Sequence, residues 1–490
     1  YYMSIKLSTF LDEKIKAMKK MYSGDESVIF RKFENKFDSR VRCCIVFTES
    51  MANKDIIDEH IIKPIMNNKF EGLEYSGKLI DVIDKTVVFS CSTEKTESFE
   101  KIEEAVGYGN TVLMIDGEKK VLIVNTISIK TRSIEESSSE MTLRGSREGF
   151  TESINDNISM IKKRIKSCRL KLQFKEIGEI TRTKICVCYI EGIAQKAILD
   201  ELMGRLDSIK IDGVLESSYI EEFIRDEPYS GFKTVGSTER PDVICAKLLE
   251  GRIAVICDGT PFVLTVPYIF MEMLQSSEDY YVNYIFGTFN RILRWLALFL
   301  STSVPALYVS FVTFHQELLP TKLLISISIS RQGVPFPTIV EAIGMLIVFE
   351  ILREAGTRIP KYIGQAVSIV GALVLGEAAV NARFVSAPMV IVTAISGISD
   401  FLLPKFLSVV VIRLALLILS SILGLFGYIL GVIFLLVHLM SIRSFGVPYM
   451  LNLGTGPIKF QDIKDTAMRV PWFLMKRRTE QMSRDVKRQK

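Results

Sequence analysis

Seven ionisable residues stand in a part of the sequence that is otherwise apolar: Glu341, Glu350, Arg353, Glu354, Glu377, Asp400 and Arg413. A charge in hydrocarbon is costly, so these groups are expected to face one another, other helices or water. Two uses follow. Internal pairing would fix how helices pack, and a polar interior would give ions a path. The residue types that usually carry catalysis or hold metals are placed differently. All eight cysteines (43, 44, 91, 168, 186, 188, 245 and 257) precede this region, none with C-x₂-C spacing, and the three histidines (60, 315 and 438) are far apart. They read as buried or inert thiols in a reducing compartment, with no metal site, cofactor or enzyme expected.

The elements that must position the seven charges begin near residue 286. Residues 1–290 are charge-rich; from Ile292 the text turns into long apolar runs. A membrane span needs about 20 apolar residues to cross ~30 Å of hydrocarbon. Residues 292–314 qualify, with Pro305 as a kink and Arg291 and Arg294 at the start. Residues 362–382 and 387–404 are further candidates. Residues 407–440 would run about 51 Å as one helix, so two spans turning near 420–427 are expected. Residues 323–353 hold Pro335, Pro337 and several charges, which predicts a broken, re-entrant or protein-buried element. The last fifty residues are basic, with 11 Lys/Arg against 4 acids. Basic flanks at both ends predict cytoplasmic termini and an even number of crossings, four or six.

Read as a helix, 363–379 has two distinct faces. Gly364, Ser368, Gly371 and Ala378 share a small-residue face suited to close helix packing, and Leu375 falls with them. Val370, Leu373 and Glu377 fall opposite. Around a ring of several copies, that face would give an apolar gate and an acidic ring attracting cations; facing lipid or a neighbour, it would be packing surface only.

The charge-rich half repeats itself. "GNTVLMIDGEKKVLIVN" (109–125) and "GRIAVICDGTPFVLTVP" (251–267) agree at six of seventeen positions, including Gly109/Gly251, Asp116/Asp258 and Gly117/Gly259. "CIVFTESMANKDIIDE" (44–59) and "CVCYIEGIAQKAILDE" (186–201) agree at seven of sixteen, at the same offset of 142. Each Asp-Gly pair between apolar runs predicts a hairpin turn. The order strand–helix–helix–hairpin therefore occurs twice, in related α/β subdomains of roughly 28–130 and 170–268. The expected organisation is a first soluble subdomain (1–136), a linker with a connecting helix (137–169), a second subdomain (170–285), a transmembrane domain (286–441) and a basic cytoplasmic tail (442–490). "RGSREG" in the linker follows no clear strand and reads as structural, not as a phosphate loop. The opening "YYMSIKLS" shows no signal-peptide pattern, and with no Met at position 1 it leaves the native start open.

Several phrases resemble one family: "REGFTES" (147–153), "LLEGRIAVICDGTPF" (248–262), "SEDYY" (277–281), "PALYVSFVTFH" (305–315), "GVPFPTIVEA" (333–342), "FEILREAG" (349–356), "IGQAVSIVGALVLGEAAV" (363–380) and "RSFGVPY" (443–449). Together they resemble the A subunit of GerA-type spore germination receptors. Departures are Gln332 for an acid, Gln195-Lys196 for Asn-Pro, and Ser146 for Pro. The resemblance implies a multi-pass protein of the spore inner membrane. It implies a transporter-like B subunit holding the nutrient, a lipoprotein C subunit, and a homo-oligomeric ring, a pentamer, around a channel for monovalent cations. No nucleic acid is expected as a partner. A scaffold that only docks the B subunit and a stand-alone transporter or membrane enzyme are the competing readings. The enzyme lacks convergent motifs, and a lone transporter would place its repeat in the membrane half.

Overall fold

The computed structural model describes residues 7–70, 79–88, 92–127, 140, 142, 144–358, 376–403, 407–451, 465, 468–478, 482–485 and 487–488. Its first 267 residues build two five-stranded antiparallel sheets of the same strand order. The first contains β1 (Val28–Glu34), β2 (Arg42–Thr48), β3 (Thr93–Thr96), β4 (Thr111–Ile115) and β5 (Val121–Val124), arranged β1-β2-β4-β5-β3. The second contains β6 (Leu170–Ile177), β7 (Thr183–Ile190), β8 (Gly236–Thr238), β9 (Ile253–Cys257) and β10 (Val263–Val266), arranged β6-β7-β9-β10-β8.

Central strands such as "TVLMI" and "IAVIC" are apolar on both faces because helices cover both. In the first unit, α1 (Leu11–Met21) and α4 (Phe99–Gly107) lay Ile15, Met18 and Ile102 on Cys44, Val46 and Met114. The helical stretches α2 (54–67) and α3 (79–87) lay Ile57, Ile61 and Ile83 on Ile45, Leu113 and Leu122. In the second, α5 (Ile154–Arg164) and α8 (Pro241–Leu249) cover Cys186, Cys188 and Ile256, while α6 (Lys196–Ser208) and α7 (Ser217–Ile224) cover Ile185, Val187 and Val255. Each such buried aliphatic contributes about 1.5–3 kcal/mol.

The duplicated phrase does the same work twice. Gly117 and Gly259 turn their hairpins at φ of 80° and 87°. The preceding aspartates reach the first helix of their own unit: Leu11 N–H donates to Asp116 Oδ1 at 2.9 Å, and Ile154 N–H to Asp258 Oδ1 at 3.1 Å. An anion at a helix N-terminus is favourable. Burial works against the Asp116 carboxylate, yet the Leu11 N–H and the Arg42 guanidinium hold its pKa below the ordinary value. The helix expected to act as a connector in 137–169 is therefore also the counterpart of α1, and the repeat reaches back to Leu11. The units meet where Asp25 bridges Leu172 and the Lys162 ammonium lies 2.9 Å from the buried Asp25 carboxylate.

Gly109 and Gly251 follow α4 and α8 at φ of 91° and 95°. A Cβ on Gly251 would stand 2.8 Å from the Met482 carbonyl oxygen, whereas one on Gly259 meets nothing within 4 Å. Gly259→Ala is expected to cost about 1 kcal/mol, for left-handed backbone alone. Gly251→Ala should cost clearly more, because it must also displace the tail. Thermal unfolding of the full chain in detergent checks this; equal losses would refute the tail contact.

The second half is helical: α9 (Tyr284–Thr313), α10 (Thr321–Arg331), α11 (Thr338–Arg358), α12 (Ala387–Leu402) and α13 (Leu407–Ser441). Among the described residues α9 is long and apolar enough to cross a membrane, as the 408–441 stretch of α13 would be if it ran straight, and α12 is a shorter apolar helix. The 323–353 region is broken as expected, between α10 and α11, with Gly333 at φ 90°. The expected turn within 407–440 is at Gly424, whose φ of 61° and ψ of −141° are not helical. Beyond it the chain doubles back: a Cβ on Gly431 would lie 2.6 Å from Leu416 Cδ2. Both arms end on the second unit, Ser408 beside Gly231 and His438 Nε2 3.0 Å from Ser230 Oγ. The hairpin tip at Gly424 lies against Phe314 and His315, just past α9.

"RSFGVPY" folds into a small hairpin of β11 (Arg443–Ser444) and β12 (Val447–Pro448), with Phe445 and Gly446 both at positive φ. It plugs into the second unit: Ser444 Oγ donates to the Thr234 carbonyl at 2.7 Å, and Phe445 N–H to Asp226 Oδ2 at 2.8 Å. Described parts of the tail also return there. Ser483 bridges Ala194, and Arg478 Nε donates to the Leu249 carbonyl at 2.6 Å.

Candidate functional site

Four of the charges named from sequence meet in one network. Arg413, 1% exposed, comes from the first arm of α13. Its guanidinium lies 2.8 Å from Asp400 Oδ2 on α12 and 2.7 Å from Glu350 Oε1 on α11. It also donates to Ser396 Oγ at 3.1 Å. Arg353, one turn after Glu350, lies 2.6 Å from Glu350 Oε2. The Ser301 hydroxyl on α9 donates to Asp400 Oδ1, and Ser396 Oγ to the Ser301 carbonyl at 2.8 Å. Two cations face two carboxylates, and four helices are tied at one level. Desolvating any one of these charges alone is expensive; the set offsets that cost only while complete.

A second pair lies apart from it. Glu341, fully buried on α11, faces Arg331 at 3.4 Å and accepts from Ser386 N–H and Oγ at 3.0 and 2.8 Å. Gln332 is exposed beside that arginine. Glu354 is exposed near the end of α11. Small residues bring the helices close enough for these contacts. Ser420 Oγ donates to the Ala306 carbonyl at 2.6 Å, and a methyl on Gly397 would fall on the Phe349 ring.

The expected pore face is divided. Val370 and Leu373 lie outside the described residues, as do Gly364, Ser368 and Gly371. Glu377 and Ala378 are both exposed on the single chain. Glu377 pairs with no cation among the described residues.

Sequence reasoning missed a further network at the root of α9. Arg291 and Arg294, read as a topological signal, both converge on Asp279. Arg294 approaches it at 2.7 and 2.9 Å and Arg291 at 3.2 Å. Arg291 also meets Asp465 of the tail at 3.2 Å, and Tyr280 donates to the same carboxylate at 2.9 Å. Burial pushes the Asp465 carboxyl up. The "SEDYY" phrase thus joins the second unit, the first membrane helix and the tail; its Asp279, one helical stretch before two arginines, was the available signal.

The described cysteines are free and mostly buried, and burial pushes the Cys43 and Cys245 thiols up to about 12. Among the described residues no three His, Cys, Asp or Glu side chains gather as a metal would require. Cys91 lies outside them.

This arrangement has relatives. The chain is 42% identical to an uncharacterized membrane protein, YfkQ, of Bacillus subtilis, over 98% of this chain and 92% of that protein. It is 42% identical to the spore germination protein KA of the same organism, over 98% and 88%. A crystal structure of the N-terminal domain of the A subunit of the Bacillus megaterium spore germinant receptor GerK3 matches 54% of this chain and 98% of that one, at 30% identity and a TM-score of 0.44. The family model described as Bacillus/Clostridium GerA spore germination protein matches residues 16–481, and this chain belongs to that family.

Proposed function

We propose that this chain is the A subunit of a nutrient-gated germinant receptor in the spore inner membrane, where several copies, five in the fullest reading, surround a path for monovalent cations. A transporter-like B subunit senses the nutrient, and a lipoprotein C subunit completes the receptor. The chain crosses the bilayer an even number of times, with both termini and both α/β units in the cytoplasm.

Glu377 is the observation that carries the multi-copy reading. Glu341, Glu350 and Asp400 are paired with arginines inside one chain, whereas the Glu377 carboxylate stands exposed on the membrane half. Hydrocarbon is its worst surrounding, so water or another copy is its natural neighbour. Potassium flux from liposomes containing the chain with its B and C subunits tests the proposal. The expected result is nutrient-dependent flux at least roughly tenfold above the complex without nutrient, the scale of an opened ion path. The second reading, a non-conducting scaffold, draws on the Arg413 network, which leaves one copy's interior neutral and packed. An assembled, nutrient-binding complex without flux would establish it.

A further inference from the structure

Where the second unit meets the membrane helices there is a cavity of about 370 Å³. Phe270, Met273 and Met450 wall it from the soluble side, and Trp295, Ile412 and Leu435 from α9 and the two arms of α13. The walls are almost wholly apolar, so water gains few partners there. An apolar cavity of ~150 Å³ already takes a benzene ring, and this one exceeds twice that volume. Two of its lining residues, Phe299 and Leu436, are also exposed on the outside of the helices. Its mouth therefore opens on the surface that lipid tails cover.

The cavity is elongated along the helix. It runs from Ser408, beside the soluble unit, to Leu416, eight residues or about 12 Å along an α-helix. Ser408 is 2% exposed, and its hydroxyl has no hydrogen-bond partner among the described residues. Buried hydroxyls are normally satisfied. A slot that is apolar along its length, open to the bilayer and provided with one unsatisfied hydroxyl at the membrane–water level matches a chain with an ester carbonyl at its head.

We propose that this cavity holds one acyl chain of a cytoplasmic-leaflet phospholipid, with Ser408 donating to the ester carbonyl. The lipid would then be a wedge between the second α/β unit and the helices, so that bilayer composition bears on how the two halves fit. The inference rests on the membrane placement of α9 and α13 and not on ion conduction.

The test uses the full chain in nanodiscs containing a phosphatidylglycerol with a photoreactive diazirine close to the ester of one acyl chain, the part that the slot would hold beside Ser408 and the soluble-side wall. Crosslinks are expected on Met273 and Met450, which belong to the soluble side of the wall, as well as on outward-facing Phe434. Val432→Trp fills the cavity from α13 and should reduce the Met273 and Met450 crosslinks at least fivefold while leaving Phe434 labelled. If that variant does not accumulate, Leu298→Trp fills it from α9 and carries the same expectation. Labelling of Phe434 without Met273 or Met450 would overturn the proposal. So would inner-wall crosslinks unchanged by a folded filling variant, or obtained only with a photoreactive free alcohol and not with the phospholipid.

Discussion

Arg413→Met is expected to leave a chain that scarcely accumulates in the membrane. The substitution keeps most of the side-chain volume and removes the cation that both Asp400 and Glu350 face at 2.8 and 2.7 Å. Arg353 remains beside Glu350, but of its described partners Asp400 keeps the Ser301 hydroxyl alone. Removing one partner of a buried pair costs about 3–5 kcal/mol, a large share of the 5–15 kcal/mol that typically holds a domain together. The abundance of the chain in spore membranes and its unfolding temperature in detergent are the measurements. Adding Asp400→Asn to Arg413→Met takes away the stranded charge and should recover much of the loss, because the cost lies in the unpaired carboxylate more than in the lost pair. Wild-type abundance and unfolding temperature in Arg413→Met would mean that the network does not hold these helices together.

The sequence named these charges but not their pairs. Their need for company follows from cost alone, whereas the choice of partner depends on where the chain reverses. Glu350 reaches Arg413 only because α11, α12 and α13 lie side by side, which no local periodicity encodes. The repeat was more legible, since its matched residues have backbone tasks that other residues do badly. Gly109, Gly251, Gly117 and Gly259 all take positive φ, and Asp116 and Asp258 hold helix N-termini. The pairing of α1 with α5 escaped because Leu11 and Ile154 stand 143 residues apart, one more than the rest. At that spacing Ile15/Ile158, Lys19/Lys162 and Lys20/Lys163 coincide. Their roles have since separated: Lys162 is buried against Asp25, while Lys19 lies over the Phe30 ring. The Asp279 network was hidden for another reason. Arg291 and Arg294 satisfy the compositional rule for a cytoplasmic flank, so nothing in the pattern called for an acid to neutralise them.

Glu377→Gln is expected to lower cation flux through the assembled receptor by roughly tenfold or more, as loss of a focused acidic field does, while nutrient gating persists. The change keeps the side chain's size, so the width of the path should stay the same. Glu377→Lys should lower the flux further, because a ring of ammonium groups repels the ions that the carboxylates attract. Stability should move little in either variant, since Glu377 is exposed and pairs with none of the described cations. That separates this residue from Arg413, whose loss should act through folding. Val370→Ala addresses the other half of the proposed face. If Val370 narrows the path, trimming it in every copy lowers the cost of wetting the constriction, and spores should release potassium without nutrient. Potassium release and spontaneous germination are measured in matched spores and normalised to the amount of chain. Unchanged release in Glu377→Lys and Val370→Ala at normal abundance would remove this face from the ion path and leave conduction to another helix or to another subunit.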